Sequence, residues 1–349
     1  MSKRRLRHLI SCEVCISFLL VISCKEKALT PQDDFYSNYT RTQLDSLTLA
    51  SLKKVDDYPF YTMTYYGDYG FSKYITPKNR NYSLAPKTIA FNSDRFGCTC
   101  FTAMGDKEAT IFGRNFDWYD HIPLLLFTDP PDGFASVSMV DLDYFGFSRN
   151  NLPDQAQNNR QLLDTPWLPF DGMNEKGVTI GIMAINHAEP PSDPKKKTIG
   201  EIEVLRLVLD CAKSTEHAVE LIQKYNVRME TPPIHYLIAD SNGNSAIIEF
   251  VGGKMIVMRN SEQWQVSTNF IIHGSGAPAN VSCWRYNRAY NSLREADGKF
   301  SCASAMDLLQ SVSQSSTIWS MVYQMNYGKI QAVVGKEFDD IETFQLQMN

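Results

Sequence analysis

The stretch Gly97-Cys98-Thr99-Cys100-Phe101, with Gly113-Arg114-Asn115-Phe116-Asp117 a short way beyond it, decides how this chain is read. A thiol opens a strand over Thr99–Met104, Gly105-Asp106-Lys107 turns it, and a second strand from Ala109 returns Arg114 and Asp117 beside the thiol. A free thiol titrates near pH ~8.5, and a neighbouring guanidinium pulls it toward the nucleophilic thiolate. If Cys98 became a chain terminus, its own α-amine, with a pKa of about 7.7–8.0, would serve as the base without any histidine.

Working outward, the 349 residues are 43% hydrophobic and 21% charged, enough core for one large domain or two ordinary ones. Lys3, Arg4, Arg5 and Arg7 start the chain, Ile16–Ile22 is a mostly apolar run, and Val21-Ile22-Ser23 precedes Cys24. This pattern reads as a lipoprotein signal peptide over residues 1–23, with a lipid on the Cys24 sulfur, although Glu13 shortens the apolar segment. The expected location is then the bacterial cell envelope, with the membrane touched only through that lipid. Beyond this segment no stretch is long and apolar enough to span a bilayer. Removing residues 1–23, which carry four bases and one acid, moves the net charge from −5 to −8. An acidic balance argues against nucleic acid as a partner.

Eight cysteines stand at 12, 15, 24, 98, 100, 211, 283 and 302. Three fall in the export segment, and the odd five that remain leave at least one free thiol. Neither Cys98-Thr99-Cys100 nor the histidines at 8, 121, 187, 217, 235 and 273 have metal-ligand spacing, so neither metal nor cofactor is expected. Gly274-Ser275-Gly276 is not a serine-hydrolase elbow, and no phosphate loop is present.

Residues 24–57 read as a polar tether ending in a helix near Leu44–Val55, and residues 58–97 as a pro-segment ahead of the nucleophile. The catalytic domain is 98–349. Within it Phe134–Leu142 and Gly177–Asn186 read as strands, and Asn150–Thr165 as a long loop at an active-site mouth. Apolar stripes at Ile202/Leu205/Leu209/Ala212 and Ala218/Leu221/Ile222/Tyr225 predict two helices, the second capped by Ser214. Strands follow at His235–Ala239, Ala246–Val251, Met255–Arg259 and Trp264–Thr268, with an Asn242-Gly243 hairpin turn between the first two. Helices over Trp284–Ala296 and Ser304–Val312, the latter with a Ser304…Asp307 capping box, lead to strands near Ile318–Gln324, Ile330–Val334 and Thr343–Gln347. Strand groups separated by helix pairs give an α+β fold of two stacked, mainly antiparallel sheets with helices outside.

From Phe96 onward these motifs resemble the choloylglycine hydrolase and penicillin acylase group of N-terminal-nucleophile hydrolases. They are similar as well to the fungal acyltransferase that exchanges penicillin side chains and to acid ceramidase. Cys98-Thr99 followed by Gly113-Arg114-Asn115-Phe116-Asp117 matches that group's start, with Arg114 and Asp117 at offsets of 16 and 19 when Cys98, not Cys100, is the nucleophile. Asn174-Glu175-Lys176-Gly177 leading to Ile185-Asn186, Ser267-Thr268-Asn269, and Ser282-Cys283-Trp284-Arg285-Tyr286-Asn287-Arg288 fall in family order, and Asp240-Ser241-Asn242-Gly243 with Glu249 resembles a hairpin of its acyltransferase side.

The resemblance implies a four-layer αββα sandwich and cleavage of a linear amide through a thioester on Cys98, after self-cleavage at Gly97–Cys98. Arg114 would stabilise the thiolate, Asp117 hold the α-amine, Asn186 and Asn269 donate to the oxyanion, and Arg285 complete the polar cluster. Asn174 and Arg288 are alternatives to Asn186 and Arg285. The expected partner is a small amide with an apolar acyl group. An acyltransferase, a cysteine peptidase of the same fold and a non-catalytic envelope lipoprotein remain open, as does the oligomeric state.

Overall fold

The computed structural model describes residues 36–76, 97–118, 121–230, 232–276 and 282–349. The export segment, Cys24 and most of the stretch before Gly97 lie outside them. Two sheets stack face to face. Six strands, in spatial order β14 (Trp264–Ser267), β3 (Gly97–Ala103), β4 (Ile111–Asp117), β15 (Thr317–Gln324), β16 (Lys329–Val334) and β17 (Glu342–Gln345), form the smaller sheet, antiparallel throughout.

The larger sheet has nine, ordered β1 (Lys53–Asp56), β2 (Phe60–Tyr65), β5 (Pro123–Thr128), β6 (Ser136–Asp141), β7 (Pro169–Asn174), β8 (Thr179–Ala184), β11 (Ile234–Ala239), β12 (Ser245–Val251) and β13 (Lys254–Arg259). Short β9 (Thr198–Gly200) and β10 (Asn226–Arg228) pair separately. Helices α3 (Glu201–Cys211) and α4 (Thr215–Ile222) cover the large sheet, and α5 (Trp284–Glu295) and α6 (Cys302–Ser311) the small one. This is the expected αββα arrangement.

Strand periodicity divides β3 between the two cores. Cys98 and Cys100 face the inter-sheet core, while Phe101 and Ala103 pack with Tyr286, Leu293 and Leu309 of the outer helices. The sheets approach closely at Gly181 of β8, where a Cβ would stand 3.0 Å from Cys100 Sγ and 3.2 Å from Arg114. Any larger residue there would push the two layers apart beside the nucleophile.

The N-terminal segment is more than a tether. Helix α1 (Arg41–Ala50), capped by Thr40 and Gln43, buries Leu44, Asp45 and Thr48. β1 pairs with β2, and β2 joins β5 in parallel from Tyr61↔Leu124 to Tyr65↔Thr128. Phe60, Tyr61, Met63 and Tyr65 are buried, so residues 53–65 are built into the large sheet. A short helix α2 (Phe71–Ile75) follows, and Phe71 and Tyr74 pack on Trp167.

Three further differences from the sequence reading have local causes. Strands β5 and β7 were not anticipated: Pro-Leu-Leu-Leu-Phe-Thr lacks alternation, and Pro169-Phe-Asp-Gly-Met-Asn174 is rich in turn formers that burial between neighbouring strands overrides. The Asn150–Thr165 loop runs into a 3₁₀ helix over Arg160–Trp167, whose Arg160 and Trp167 pack on the N-terminal segment. Helix α6 starts earlier than expected, because Ser301, not Ser304, is its cap and accepts from the Ser304 N–H.

Candidate active site

Cys98 and Arg114 come together because β3 and β4 pair with Cys98 opposite Phe116 and Cys100 opposite Arg114. The Arg114 Nη2 stands 3.8 Å from Cys98 Sγ, and its Nη1 donates to the Phe170 carbonyl at 2.8 Å. Its Nε lies 3.0 Å from Asp171 Oδ2 as a fully buried charge pair across the two sheets. Trp319 Nε1 and Tyr323 Oη donate to the same carboxylate at 3.0 and 2.5 Å. Asp171 is therefore the counter-ion that makes a buried guanidinium tolerable. The motif reading missed it, and its one signal was an acid inside an otherwise buried strand.

Asp117 closes β4 opposite Gly97. Its carboxylate accepts from Thr317 Oγ1 and from Gln314 Nε2 at 2.6 Å, with Arg285 Nη1 3.9 Å away. Burial pushes the Asp117 carboxyl up, opposed by the Thr317 bond, the Arg285 charge and the Gln314 bond. A Cβ on Gly97 would collide with Gln314 Nε2 and stand 2.9 Å from Asp117 Oδ2, so only glycine leaves these groups against the Gly97–Cys98 peptide.

Asn269, just past β14, accepts from the Cys98 backbone N–H on Oδ1 at 2.6 Å and donates from Nδ2 to the Ala184 carbonyl at 2.8 Å. One Nδ2 hydrogen remains for another acceptor. Arg285, near the start of α5, donates to the Cys98 carbonyl, to Thr99 Oγ1 at 3.1 Å and to Asn269 Oδ1 at 3.0 Å. Five of the six expected residues thus converge: Cys98, Arg114, Asp117, Asn269 and Arg285.

The sixth does not. Asn186 is exposed two residues beyond β8, with no side-chain hydrogen bond among the described residues. The site instead meets β8 at the Ala184 carbonyl. Neither alternative replaces an expected residue. Asn174 donates to the Val208, Leu209 and Ala212 carbonyls at the end of α3, and Arg288 donates to the Ser311 carbonyl.

Electrostatics correct one expectation. Burial pushes the Cys98 thiol up, and the pull of Arg114, Arg285 and the Asp117 backbone N–H does not overcome it. In the uncut chain the sulfur is therefore held as the thiol rather than the thiolate. Cys100 is also buried, and loss of solvent pushes its thiol up as well. Cys283 and Cys302 are free thiols, so they do not pair with each other.

A second cluster supports Asn269 from behind. His235 presents Nδ1 to Glu249 Oε1 at 3.0 Å and Nε2 to the Thr268 carbonyl at 2.7 Å. Glu249 accepts the Ile272 and His273 N–H groups at 2.8 and 3.0 Å, fixing the turn that follows Asn269. Asp240 serves structure instead, accepting from Asn242, Asn244 and the Thr215 N–H at the start of α4.

Cys98 borders a narrow, mostly apolar cleft with a free volume of about 30 Å³, lined by Phe116, Trp118, Tyr144, Phe170 and Ile234 among others. Phe116 stacks on Trp319 at 4.1 Å and Tyr144 on Phe170 at 5.4 Å, giving rigid aromatic walls. One carboxyl, Glu201, also borders it. Among the described residues no group of His, Cys, Asp and Glu could hold a metal ion.

The buried β-strand thiol, the adjoining Arg/Asp pair and the αββα sandwich are the arrangement expected from the sequence motifs, and the sandwich is the fold of the N-terminal-nucleophile hydrolases that the chain resembles. Residues 167–338 match the family model of acyl-coenzyme A:6-aminopenicillanic acid acyl-transferase, a span that includes Asn269 and Arg285 but begins beyond Cys98, Arg114 and Asp117. The chain is 31% identical over 188 residues to penicillin V acylase of Pectobacterium atrosepticum, a match covering 49% of this chain and 49% of that protein. It thus spans about half the length of that curated relative.

Penicillin V acylase from Agrobacterium tumefaciens superposes with a TM-score of 0.50 at 16% identity, over 71% of this chain and 86% of that one. A variant of conjugated bile acid hydrolase from Clostridium perfringens does so with a TM-score of 0.50 at 13% identity, over 71% and 92%. The likeness to the choloylglycine hydrolase and penicillin V acylase group therefore holds in both sequence and fold.

Proposed function

We propose that this chain is a cysteine amidase that hydrolyses a linear amide through a thioester on Cys98. The observation that carries the reading is the Cys98 backbone nitrogen, bonded to Asn269 Oδ1 at 2.6 Å while Sγ faces Arg114 and an aromatic cleft. That nitrogen becomes the catalytic amine once the peptide before it is cut. In maturation Cys98 Sγ attacks the Gly97 carbonyl, the Gly97–Cys98 C–N bond breaks, and the acyl group shifts from nitrogen to sulfur. Water then hydrolyses the thioester, releasing the Gly97 carboxylate and a free Cys98 thiol and α-amine.

In turnover the α-amine takes the thiol proton as Sγ attacks the substrate carbonyl. Arg114 stabilises the sulfur's charge. The remaining Asn269 Nδ2 hydrogen faces the oxyanion, a contact of the kind worth about 3–4 kcal/mol of barrier. The α-amine, now protonated, hands its proton to the leaving amine, and water returns the enzyme by splitting the thioester. Asp117 holds the α-ammonium. Asn186 takes no role in this reading, because it is exposed and has no side-chain hydrogen bond among the described residues.

Export with a lipid on Cys24, in the bacterial cell envelope, belongs to the same reading and rests on the basic start, the apolar run and Val21-Ile22-Ser23-Cys24. Residues 36–76 would then stay bound as a separate piece through β2.

A hydrolysis screen with conjugated bile salts, penicillin V and N-acyl amino acids tests the activity: at least one should be cleaved by the wild type and none by Cys98→Ala. The family model over residues 167–338 is that of an acyl-transferase, which favours transfer to an amine as the second reading. Added amines that capture the acyl group in preference to water would establish it.

A further inference from the structure

Glu201 is the first residue of α3 and borders the cleft onto which Cys98 opens, yet it plays no part in the chemistry above. The residue is only 5% exposed. Its carboxyl accepts its own backbone N–H and that of Glu230, and its carbonyl accepts from Tyr236 Oη at 2.9 Å, so the position is fixed. Among the described residues, Oε2 has no hydrogen-bond partner. A buried carboxylate oxygen left without a donor is costly, and most such groups in folded proteins are satisfied. Among the described residues the charged groups facing it are Glu230 and Arg228, and the pull of Arg228, which is shared with Glu230 at 2.9 Å, does not offset the loss of solvent. Loss of solvent pushes the Glu201 carboxyl up to about 7. The rest of the cleft wall includes Phe116, Phe170 and Tyr144, which suit an aromatic group.

We propose that Glu201 is the specificity residue of the acyl subsite, and that its free oxygen receives a protonated amine carried on an aromatic acyl group. This rests on the amidase reading, but it concerns recognition rather than bond cleavage and is testable apart from it. An ammonium supplies the missing donor and adds positive charge to the partial pull of Arg228, whereas a hydroxyl supplies only the donor and a plain aryl acyl group neither.

The test uses the purified full chain and its Glu201→Leu and Glu201→Gln variants. The first arm compares kcat/KM for the anilides of phenylacetic acid and phenylglycine, which differ by one amine. A charge-assisted hydrogen bond predicts that the wild type favours the phenylglycyl substrate by about tenfold or more, and that Glu201→Leu loses or reverses the preference. The second arm measures binding of 2-phenylethylamine and 2-phenylethanol by calorimetry and needs no hydrolysis. The amine should bind more tightly than the alcohol to the wild type and no better than it to Glu201→Leu.

Because this amine stays charged well above neutrality, its affinity should rise as pH increases through about 7, where Glu201 ionises. If neither the anilides nor any substrate of the hydrolysis screen is cleaved while the amine preference persists in binding, the amidase reading fails and this inference stands. Equal binding of amine and alcohol, or an amine preference that survives Glu201→Leu, overturns the inference.

Discussion

Asp171→Asn separates charge from shape at the buried pair behind the nucleophile. Asp171 and Arg114 are both fully buried with 3.0 Å between Oδ2 and Nε, and the substitution removes the charge while keeping the oxygen that accepts from Trp319, with the new amide N–H donating to Tyr323 Oη in place of the bond that hydroxyl gave. Breaking a buried pair from one side costs about 3–5 kcal/mol, because the surviving charge is left without compensation. Against a typical total of about 5–15 kcal/mol this is a large fraction, and chemical denaturation should read it directly as a lower midpoint with an unchanged slope. The same change has the opposite sign at the sulfur. With Asp171 neutral, the Arg114 charge at 3.8 Å is no longer offset, so the Cys98 thiol pKa falls and alkylation begins at lower pH. Adding Arg114→Met to Asp171→Asn removes the orphaned charge, so the double variant should recover most of the lost stability while its thiol titrates at higher pH. An Asp171→Asn protein as stable as wild type, or a double variant as unstable as the sum of the singles, would refute this account of the pair.

Further outcomes follow from neighbouring groups. Thr317→Val removes a donor that favours the ionised Asp117 carboxylate, so its pKa rises further and the acid limb of the pH–rate profile moves to higher pH; an unmoved limb would count against the role of Asp117. Gly97→Ala should slow self-cleavage strongly while leaving the fold's thermal midpoint close to wild type if Gln314 turns aside; rapid cleavage of this variant would count against the crowding at the scissile peptide. After cleavage, the piece containing β2 should co-elute with the catalytic chain on size exclusion and separate only in denaturant, since Phe60, Tyr61, Met63 and Tyr65 stay buried against β5. Glu249→Gln should lower kcat more than it raises KM, because weaker holding of the Ile272 and His273 N–H groups shifts Asn269 without touching the acyl cleft.

Much of this was legible in the chain because local chemistry and final position agree. Cys98, Arg114 and Asp117 sit on two strands joined by a short turn, so their spacing carried the geometry. Asn269 and Arg285 are distant in sequence and became legible only through their motifs. Asp171 was illegible because its partners Arg114, Trp319 and Tyr323 all come from the opposite sheet, a pairing no local pattern encodes. Asn186 failed for a related reason: the strand carrying it ends at Ala184, and the backbone carbonyl there, not a side chain two residues later, meets the site. The polar composition of residues 24–57 suggested a loose tether, yet the single turn of buried Leu44, Asp45 and Thr48 docks α1, and β1 completes the sheet edge.

The central claim is that the nitrogen of Cys98, now a peptide N–H held by Asn269, is released as a catalytic α-amine. Intact-mass measurement of the purified wild-type chain tests this most directly. It should find a polypeptide whose first residue is Cys98, missing from Cys98→Ala; a chain uncut at Gly97–Cys98 that still hydrolyses amides at full rate would contradict it.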